Sequence, residues 1–476
     1  MDPTPVAPDR RPLLIAAALF GALWGLSLLR SWTLLGSYDL GYFSQASWLL
    51  REGHDPFVTV RGIHLLGDHA SFVFYPIAFT FGWLGTAGLL GFQALALAVG
   101  VVPLWLLARQ VVGLSAGVAL GLCGAYALYP ALSNVNLFDF HPETVVVPAL
   151  LGAVWLLHRG GPWWAYGLCV AAVLTSREDV AVTVLCLGLY GMTQRRVRVG
   201  AVTAVAAAGW LVLELFVVLP HFAGGTYVQG NRFGQYGATL GEAVVYMLTH
   251  PFEVLGDFAT KPNLYVIVGL LAPLLFLPVL GWRHLWPGIP LQLAYLLTNV
   301  DAAHTLTAQY TVTTIPFMFV GAAFGLRHRR VAGRVPPVAL VGAALACFLV
   351  FGTASPRHSP WDWARRDRVD RARLDAAELV PSDAPVAATV RMWPLLAERR
   401  DLYPFPMPLE RYFAQSDDRK TPEQRLAELR WVVLDTADKD QWKGVEAAAR
   451  ERFLGPGNPY GFTVVYDRFG IVVYRR

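Results

Sequence analysis

Long apolar stretches fill most of the first three quarters of this chain, and they constrain its fold more than any other feature. A helix needs about 20 apolar residues to cross the hydrocarbon core of a bilayer, or fewer where neighbouring protein shields its ends. Eleven stretches fit this description, and a wholly cytosolic globular protein is therefore excluded. They cover residues 12–30, 87–108, 113–132, 143–158, 162–175, 179–193, 199–219, 263–281, 285–300, 307–326 and 335–354.

The distribution of charge divides the chain into two domains. Residues 1–354 contain 18 Lys and Arg and 15 Asp and Glu, whereas residues 355–476 contain 21 and 19. We therefore predict a transmembrane domain over 1–354 and a soluble domain over 355–476. Because positive and negative charges alternate in the soluble domain, they do not form the basic face that nucleic acid binding requires. All four cysteines lie in apolar stretches, so we expect neither a disulfide nor a metal-thiolate site.

Two apolar segments need separate interpretation. The first stretch follows Arg10 and Arg11 but lacks a small-residue cleavage site at its end, so it is predicted to be an uncleaved anchor. Residues 72–84 are apolar and aromatic but short, and an interfacial or re-entrant helix is expected there rather than a twelfth crossing.

Positive charge predicts the orientation of the crossings. With the N-terminus in the cytoplasm, twelve arginines fall in cytoplasmic segments, where Lys and Arg near span ends are retained. An odd number of crossings then places the C-terminal domain outside. Arginine outnumbers lysine by 35 to 4, as in GC-rich bacterial genomes. The predicted location is thus the bacterial plasma membrane, with a cytoplasmic N-terminus and an extracytoplasmic tail.

Chemically active side chains concentrate in the outer loops of this topology. The segment 176–179 joins two apolar helices, and ionisable groups so close to the bilayer are functional by default. Other interpretations stay open: Glu143 fits a helix cap, and residues 177–179 fit a buried ion network. The candidates in the first three outer loops are Asp39, Gln45, Asp68, His69, His141, Glu143, Arg177, Glu178 and Asp179.

Two further outer regions carry candidates. Residues 220–262 form the longest outer loop, and its glycine-rich part, 224–234, contains Arg232 and suits either a lid over a ligand or a flexible connector. His304 is a lone histidine near Asp301. Such His, Asp and Glu side chains can bind a divalent cation, but no compact motif such as His-Glu-x-x-His is present.

The tail is predicted to be a small α/β domain. Residues 364–380 and 421–430 have the pattern of polar-faced helices, 386–390 and 431–434 of short buried strands, and 462–474 of a hairpin. The segment 403–408, YPFPMP, is expected to pack against the membrane region.

Together these motifs resemble a family of uncharacterised bacterial polytopic membrane proteins, a domain of unknown function similar in layout to GT-C type glycosyltransferases. The resemblance covers nearly the whole chain. One departure is WPL at 393–395, where a histidine is expected after the proline. The resemblance is carried by DLG at 39–41 with Gln45, DH at 68–69, FHPE at 140–143, RED at 177–179, QY at 309–310 before Pro316, APVAATVR at 384–391, YPFP at 403–406 and VVLD at 432–435.

The resemblance implies an α-helical polytopic, GT-C-like enzyme that moves a sugar from a polyprenyl-phosphate donor to a glycan, lipid or protein acceptor on the outer face, with inversion. Asp39 matches the acidic residue of the first outer loop, and a carboxylate there serves as general base. Asp68 and Glu178 are further catalytic candidates. Cations and donors for the departing phosphate are Arg177, His141, His69 and Arg232. The remaining expected substrate contacts are Gln45, Glu143, Asp179, His304 and Tyr310.

Two other functions stay open at this point. A transporter or flippase for lipids or solutes places ionisable groups near the bilayer midplane and often has repeated halves. Here no repeat is visible, and most charges lie at the outer ends of the predicted spans. A noncatalytic scaffold for envelope assembly would use the tail to bind another protein.

Overall fold

The computed structural model describes residues 9–36, 38–225, 228–410, 420–440 and 442–476. Ser37 of the first outer loop and Thr226 and Tyr227 of the glycine-rich loop lie outside these ranges. Five described helical segments are long and apolar enough to cross a membrane, so the chain is a multi-pass membrane protein. They are Arg11–Trp32, Phe74–Val111, Ala116–Phe138, Val197–Phe222 and Pro337–His358, and Pro251–Phe258 with Lys261–Leu274 form a further pair bent by 68°.

The membrane region is helical apart from two short strands. In chain order its elements are α1 (Arg11–Trp32), α2 (Tyr38–Arg51), β1 (Phe57–Val58), β2 (Ile63–His64), α3 (Leu65–Asp68), α4 (Phe74–Phe81), α5 (Gly85–Val99), α6 (Val101–Leu106), α7 (Ala116–Ala127), α8 (Pro130–Phe138), α9 (Val146–Arg159), α10 (Trp163–Leu174), α11 (Ala181–Thr193), α12 (Val197–Leu213), α13 (Leu219–Phe222), α14 (Leu240–Thr249), α15 (Pro251–Phe258), α16 (Lys261–Leu271), α17 (Leu277–Leu280), α18 (Trp282–Leu285), α19 (Ile289–Tyr295), α20 (Thr314–Gly325) and α21 (Pro337–Phe351).

Several predicted crossings form helices shorter than a bilayer requires. α9, α10, α11 and α20 contain only 12 to 14 residues each. The count of eleven crossings therefore stays a prediction. The segment predicted to be interfacial forms α4, which leads through one 3-10 turn into α5. The long outer loop contains α14 and α15 after its glycine-rich part, for which the choice between a lid and a connector stays a prediction.

The charged side chains of residues 139–143 and 177–179 lie at two breaks between consecutive helices. α8 ends at Phe138, the next residue, Asp139, is extended, and Pro142 starts a 3-10 turn that leads into α9. Arg177 is likewise extended between α10 and α11. The first break is held by Gln93 of α5, whose Nε2 donates to the carbonyls of Asn136 and Asp139, both at 2.8 Å. Its Oε1 accepts the N–H of His141 at 2.7 Å. A buried amide thus satisfies the backbone groups that the break leaves unpaired.

The C-terminal domain is a five-stranded sheet with helices. Strands β4, β3 and β5 are parallel, and β5, β7 and β6 are antiparallel, in the order β4-β3-β5-β7-β6. The predicted strands, hairpin and helices are found with small shifts, whereas β4, α23 and α25 were not predicted. The elements are α22 (Arg368–Glu378), β3 (Val386–Ala388), α23 (Trp393–Leu396), β4 (Leu402–Pro404), α24 (Pro422–Glu428), β5 (Trp431–Asp435), α25 (Gly444–Leu454), β6 (Thr463–Arg468) and β7 (Ile471–Arg475).

The tail packs directly on α2 of the membrane region. Buried side chains of α2, α4 and α5 share one hydrophobic core with the tail, including Trp393. The ring of Trp393 lies 5.2 Å from that of Tyr38. A Cβ atom on Gly41 would lie 2.6 Å from the Cβ of Trp393, so only glycine permits this approach. The tail therefore fixes the helix whose first turn carries Asp39.

Replacing Gly41 by Ala is expected to separate α2 from the tail. The added methyl group overpacks the contact with Trp393, and we expect a loss of about 1–3 kcal/mol in stability. Faster protease cleavage of the tail in the purified protein would show this change. Gly21→Ala in α1 is the matched control, because a Cβ there meets no atom within 4 Å. Equal cleavage of the two variants would contradict the role assigned to Gly41.

Candidate active site

Asp39 and His141 form the centre of the candidate site. Asp39 lies in the first turn of α2. Its side chain is 31% exposed, and its Oδ2 lies 3.4 Å from Nε2 of the buried His141. Burial alone would lower the pKa of His141, but the facing Asp39 carboxylate outweighs it and raises this pKa. The Asp39 N–H donates to Oδ2 of Asp139 at 3.1 Å. Burial and the neighbouring Asp39 raise the pKa of Asp139 to about 6.

Arg177 contacts every other member of a second group of side chains, which is largely buried. Its Nη1 donates to Oε1 of Glu143 at 3.2 Å, and its Nη2 donates to Oδ2 of Asp179 at 2.6 Å. The Tyr295 hydroxyl also donates to Asp179, at 2.9 Å. The guanidinium lies over the rings of Tyr295 and Tyr310, at 5.7 and 5.6 Å. The buried network that the sequence left open for Arg177 and Asp179 therefore exists, and it includes Glu143.

Glu178 and His69 form a close pair beside this network. Nδ1 of His69 lies 3.0 and 3.1 Å from the two carboxylate oxygens of Glu178, which is buried. Burial by itself would raise the pKa of Glu178, but His69 outweighs it and lowers the pKa to about 2. Burial by itself would lower the pKa of His69, and the Glu178 carboxylate raises it instead. The pair therefore favours a charged imidazolium and carboxylate.

Asp68 belongs to a third group, which is closer to solvent. Its Oδ1 lies 3.5 Å from Nη2 of Arg61 and accepts from Nε2 of Gln229 at 3.2 Å. Oε1 of Gln229 accepts from Nε of Arg232 at 2.9 Å. The first outer loop and the glycine-rich loop thus meet through Asp68 and Gln229.

Two tyrosines connect the three groups into one site. Arg61, Asp68 and Asp39 are all close enough to Tyr38 for their charges to act on its hydroxyl. Burial, together with the two carboxylates, raises the pKa of Tyr38. On the other side, Arg232 lies 5.9 Å from the ring of Tyr310, the same ring that Arg177 contacts. Side chains from six separate segments of the sequence therefore converge at one place.

Gln45 lies outside this site. Its Nε2 donates to Oγ1 of Thr59 at 2.8 Å and to the carbonyl of Arg399 at 3.2 Å, and its Oε1 accepts from the N–H of Val60. The side chain is fully buried. Gln45 thus connects the first outer loop to the tail. The sequence had predicted that this side chain contacts substrate. The Thr59 hydroxyl, through its bonds to Leu402, holds the first residue of β4 against the membrane region. Tyr403 and Phe405 of the segment predicted to pack there lie instead in a core formed within the tail.

His304 is also occupied elsewhere. Its Nδ1 lies 2.6 Å from Oδ1 of Asn263, and its Nε2 lies 2.8 Å from the carbonyl of Thr298. Both ring nitrogens therefore serve to hold the start of α16 against the segment after α19. The structure does not bring His304 to the group around Asp39.

The sequence did not single out several residues of the site. Two of them, Tyr38 and Arg61, lie in the first outer loop, and Gln229 lies in the glycine-rich loop. The nearby candidates Asp68 and Arg232 were the only features of the sequence that pointed to them. Tyr295 lies within an apolar helix, and nothing in the sequence around it indicated a functional residue. Within the described part of the chain, no three His, Cys, Asp or Glu side chains are grouped so that they could hold a metal ion.

The charged pair predicts a pH dependence of stability. Folding raises the pKa of His69 above its ordinary value of 6.5. The ion pair with Glu178 therefore stabilises the folded protein fully below pH 6.5, and this stabilisation is lost as the pH rises through the pKa of the folded state. In detergent, wild type should therefore be more stable than His69→Gln near pH 6, and the difference in unfolding temperature should shrink towards pH 9. The glutamine keeps a donor, so a constant difference across this range would contradict the ion pair.

The comparisons with known proteins identify the family and the fold. A family model described as "Predicted membrane protein (DUF2079)" matches residues 30–473. The chain belongs to this family. The comparison with curated proteins found no significant match.

The DUF2079 chain is similar over nearly its full length to several solved structures. ArnT from Cupriavidus metallidurans bound to undecaprenyl phosphate has a TM-score of 0.57 and 13% identity, over 98% of each chain. The apo state of ArnT has a TM-score of 0.55 and 12% identity, over 97% of each chain. Arabinofuranosyltransferase AftD from Mycobacteria has a TM-score of 0.46 and 14% identity, over 99% of this chain and 42% of AftD. The GT-C-like fold that the resemblance implied is thus confirmed.

Proposed function

We propose that this protein is a membrane glycosyltransferase that moves a sugar from a polyprenyl-phosphate donor to an acceptor hydroxyl. The observation that carries the proposal is the set of contacts around Asp39. This partly exposed carboxylate acts on Tyr38 together with Arg61 and Asp68, and Gln229 links Asp68 to Arg232. The reaction requires both kinds of group: a base that takes the proton of the acceptor hydroxyl and positive charge that stabilises the leaving phosphate. The fold shared with ArnT supports it.

Asp39 acts as the general base in this proposal. The acceptor oxygen forms a bond to the anomeric carbon while the bond from that carbon to the phosphate oxygen breaks, and the acceptor proton passes to Asp39. A single displacement of this kind inverts the anomeric configuration. Nε2 of His141 lies 3.4 Å from one carboxylate oxygen on the buried side and attracts it by charge, and Gln93 fixes the backbone of His141. The carboxylate is thereby oriented before the substrate binds.

The phosphate of the donor is stabilised by the cations around Asp68. Arg61 and Arg232 are both held by polar partners that lead to Asp68. Guanidinium groups bind phosphate through paired hydrogen bonds, and the departing polyprenyl phosphate needs no protonating acid. ArnT was solved with undecaprenyl phosphate, and we extend this class of lipid carrier to the present chain.

The buried residues serve to position the site. Glu178 is 1% exposed and faces His69, so in this proposal it orients His69 rather than acting on substrate. Asp68 similarly orients Arg61. Arg177 with Glu143 and Asp179 holds Tyr310, whose ring contacts Arg232.

The proposed location is the outer face of a bacterial plasma membrane. The twelve arginines of the predicted cytoplasmic segments support a cytoplasmic N-terminus, and the site then faces outward with the tail. A lipid-linked donor stays in the bilayer while its head group reaches this face. That explains why the catalyst is built among membrane helices.

A reconstituted assay tests this function. The purified protein in liposomes receives a polyprenyl-phosphate donor with a radiolabelled sugar and a lipid extract that supplies acceptors. Protein-dependent appearance of labelled product is the expected result. Movement of intact donor across the bilayer without transfer would favour a transporter, and neither activity would favour an assembly scaffold.

A further inference from the structure

A polar cavity lies at the junction of α2, the turn that leads from α4 into α5, and the tail. Its volume is about 390 Å³. The residues that define it are Ser44, Ser47, Arg51, Gly82, Glu398 and Arg399. None of the residues proposed for the glycosyltransferase site lines it. Asp39 and Arg51 are at opposite ends of α2, twelve residues apart, which corresponds to about 18 Å along a helix.

Buried polar atoms in this cavity lack partners within the chain. Ser44 Oγ, Ser47 Oγ and Arg51 Nε make no hydrogen bond to any described residue. Buried polar groups are almost always satisfied, so three such groups on residues that line one cavity point to a ligand with hydrogen-bond acceptors. All three are hydrogen-bond donors, and one of them is positively charged. The ligand should therefore be an anion with several acceptor oxygens.

Arg51 is available to bind such an anion. Its side chain is 10% exposed, and the nearest carboxylate oxygen, on Glu398, lies 3.6 Å away on a side chain that is 65% exposed. That contact is weak and easily given up to a ligand. The second lining cation, Arg399, is already occupied, because its guanidinium donates to the carbonyls of Leu396, Pro381 and Ala384.

The rim of the cavity indicates where the anion comes from. The Arg51 guanidinium lies 5.2 Å from the ring of Trp83, which is 65% exposed. Leu84, which lines the cavity, is also exposed, as is Phe79 on the same helical segment. Exposed Trp beside apolar side chains is typical of the depth where lipid head groups lie. A phosphate attached to a lipid would thus find its charge partner and its apolar contacts at once.

We infer that this cavity binds the phosphate head group of a membrane lipid, separately from the proposed active site. Arg51 provides the charge, and the hydroxyls of Ser44 and Ser47 provide further donors. Gly82 makes room for them, because a Cβ there would lie 2.2 Å from Oγ of Ser47. Bound lipid would connect α2, the turn between α4 and α5, and the tail. The inference does not depend on glycosyl transfer.

Binding of short-chain phosphatidic acid to the full-length protein in detergent tests the inference. Arg51→Gln should weaken the affinity at least about tenfold, since it removes a charged hydrogen-bonding partner. Ser44→Ala should weaken it a few-fold while leaving the packing unchanged. Arg365→Gln is the matched control, because Arg365 is exposed and outside the cavity, and it should bind like wild type.

Inorganic phosphate and short-chain diacylglycerol distinguish the sources of the anion. Binding of inorganic phosphate should be at least tenfold weaker than that of phosphatidic acid, and diacylglycerol should not respond to Arg51→Gln. Equal affinity for inorganic phosphate would overturn the assignment to a lipid in favour of a free anion. Unchanged phosphatidic acid affinity in Arg51→Gln, or in Ser44→Ala should the former not fold, would overturn the site altogether.

Discussion

Replacing Asp39 by Asn should lower the rate of sugar transfer by about two to four orders of magnitude, which is the usual contribution of a general base. The amide has nearly the same shape as the carboxylate but cannot take the acceptor proton. Binding of the donor should change little, because the cations around Asp68 are untouched. The measurement is kcat and KM for transfer of a labelled sugar from the polyprenyl-phosphate donor.

The control for this variant is Glu52→Gln. Glu52 is an exposed acid just after α2, outside the site. The same loss of one negative charge there should leave kcat within a factor of about two, since exposed charges interact weakly with a distant reaction. Full turnover by Asp39→Asn, or an equal loss in both variants, would remove Asp39 from the role of base.

Replacing Arg177 by Met should destabilise the protein by about 3–5 kcal/mol. The guanidinium is buried between Glu143 and Asp179, and its removal leaves the buried Glu143 and the partly buried Asp179 without their cation. We expect a marked fall in the apparent unfolding temperature of the purified protein, together with loss of activity. Fluorescence-detected size-exclusion after heating measures the first effect directly.

Two further variants separate the network from a general loss of charge. Arg198→Met removes an exposed arginine and should leave the unfolding temperature unchanged. Arg177→Met combined with Glu143→Gln and Asp179→Asn should recover part of the lost stability, because the carboxylates are neutralised with their partner. If the triple variant were less stable than Arg177→Met alone, the network would not be the cause.

The sequence located most of the candidate site because charge in an apolar chain is conspicuous. Asp39, Asp68, His141 and Arg177 stand in short polar segments between long apolar stretches, and burial there requires partners. The structure shows why these segments meet. Helices α8 and α10 end where the backbone becomes extended, and both breaks lie at the same end of the helical bundle as α2.

Other parts of the site could not be predicted from the sequence, because their roles depend on contacts that only the folded structure creates. Tyr295 looks like any aromatic residue of an apolar helix, yet its hydroxyl contacts Asp179. Gln45 lies in a promising polar segment, but its amide is used by the junction with the tail. Strand β4 contains a proline and has only three residues, so its pattern did not separate it from a loop.

Rescue of Asp39→Ala by azide tests the central claim most directly. Azide is a nucleophile that needs no deprotonation, so it can attack the anomeric carbon without a base. If Asp39 is the base of a polyprenyl-phosphate glycosyltransferase, azide should restore donor consumption in this variant and yield a glycosyl azide of inverted configuration. An inactive variant that azide does not restore, while it still binds the donor, would contradict the account.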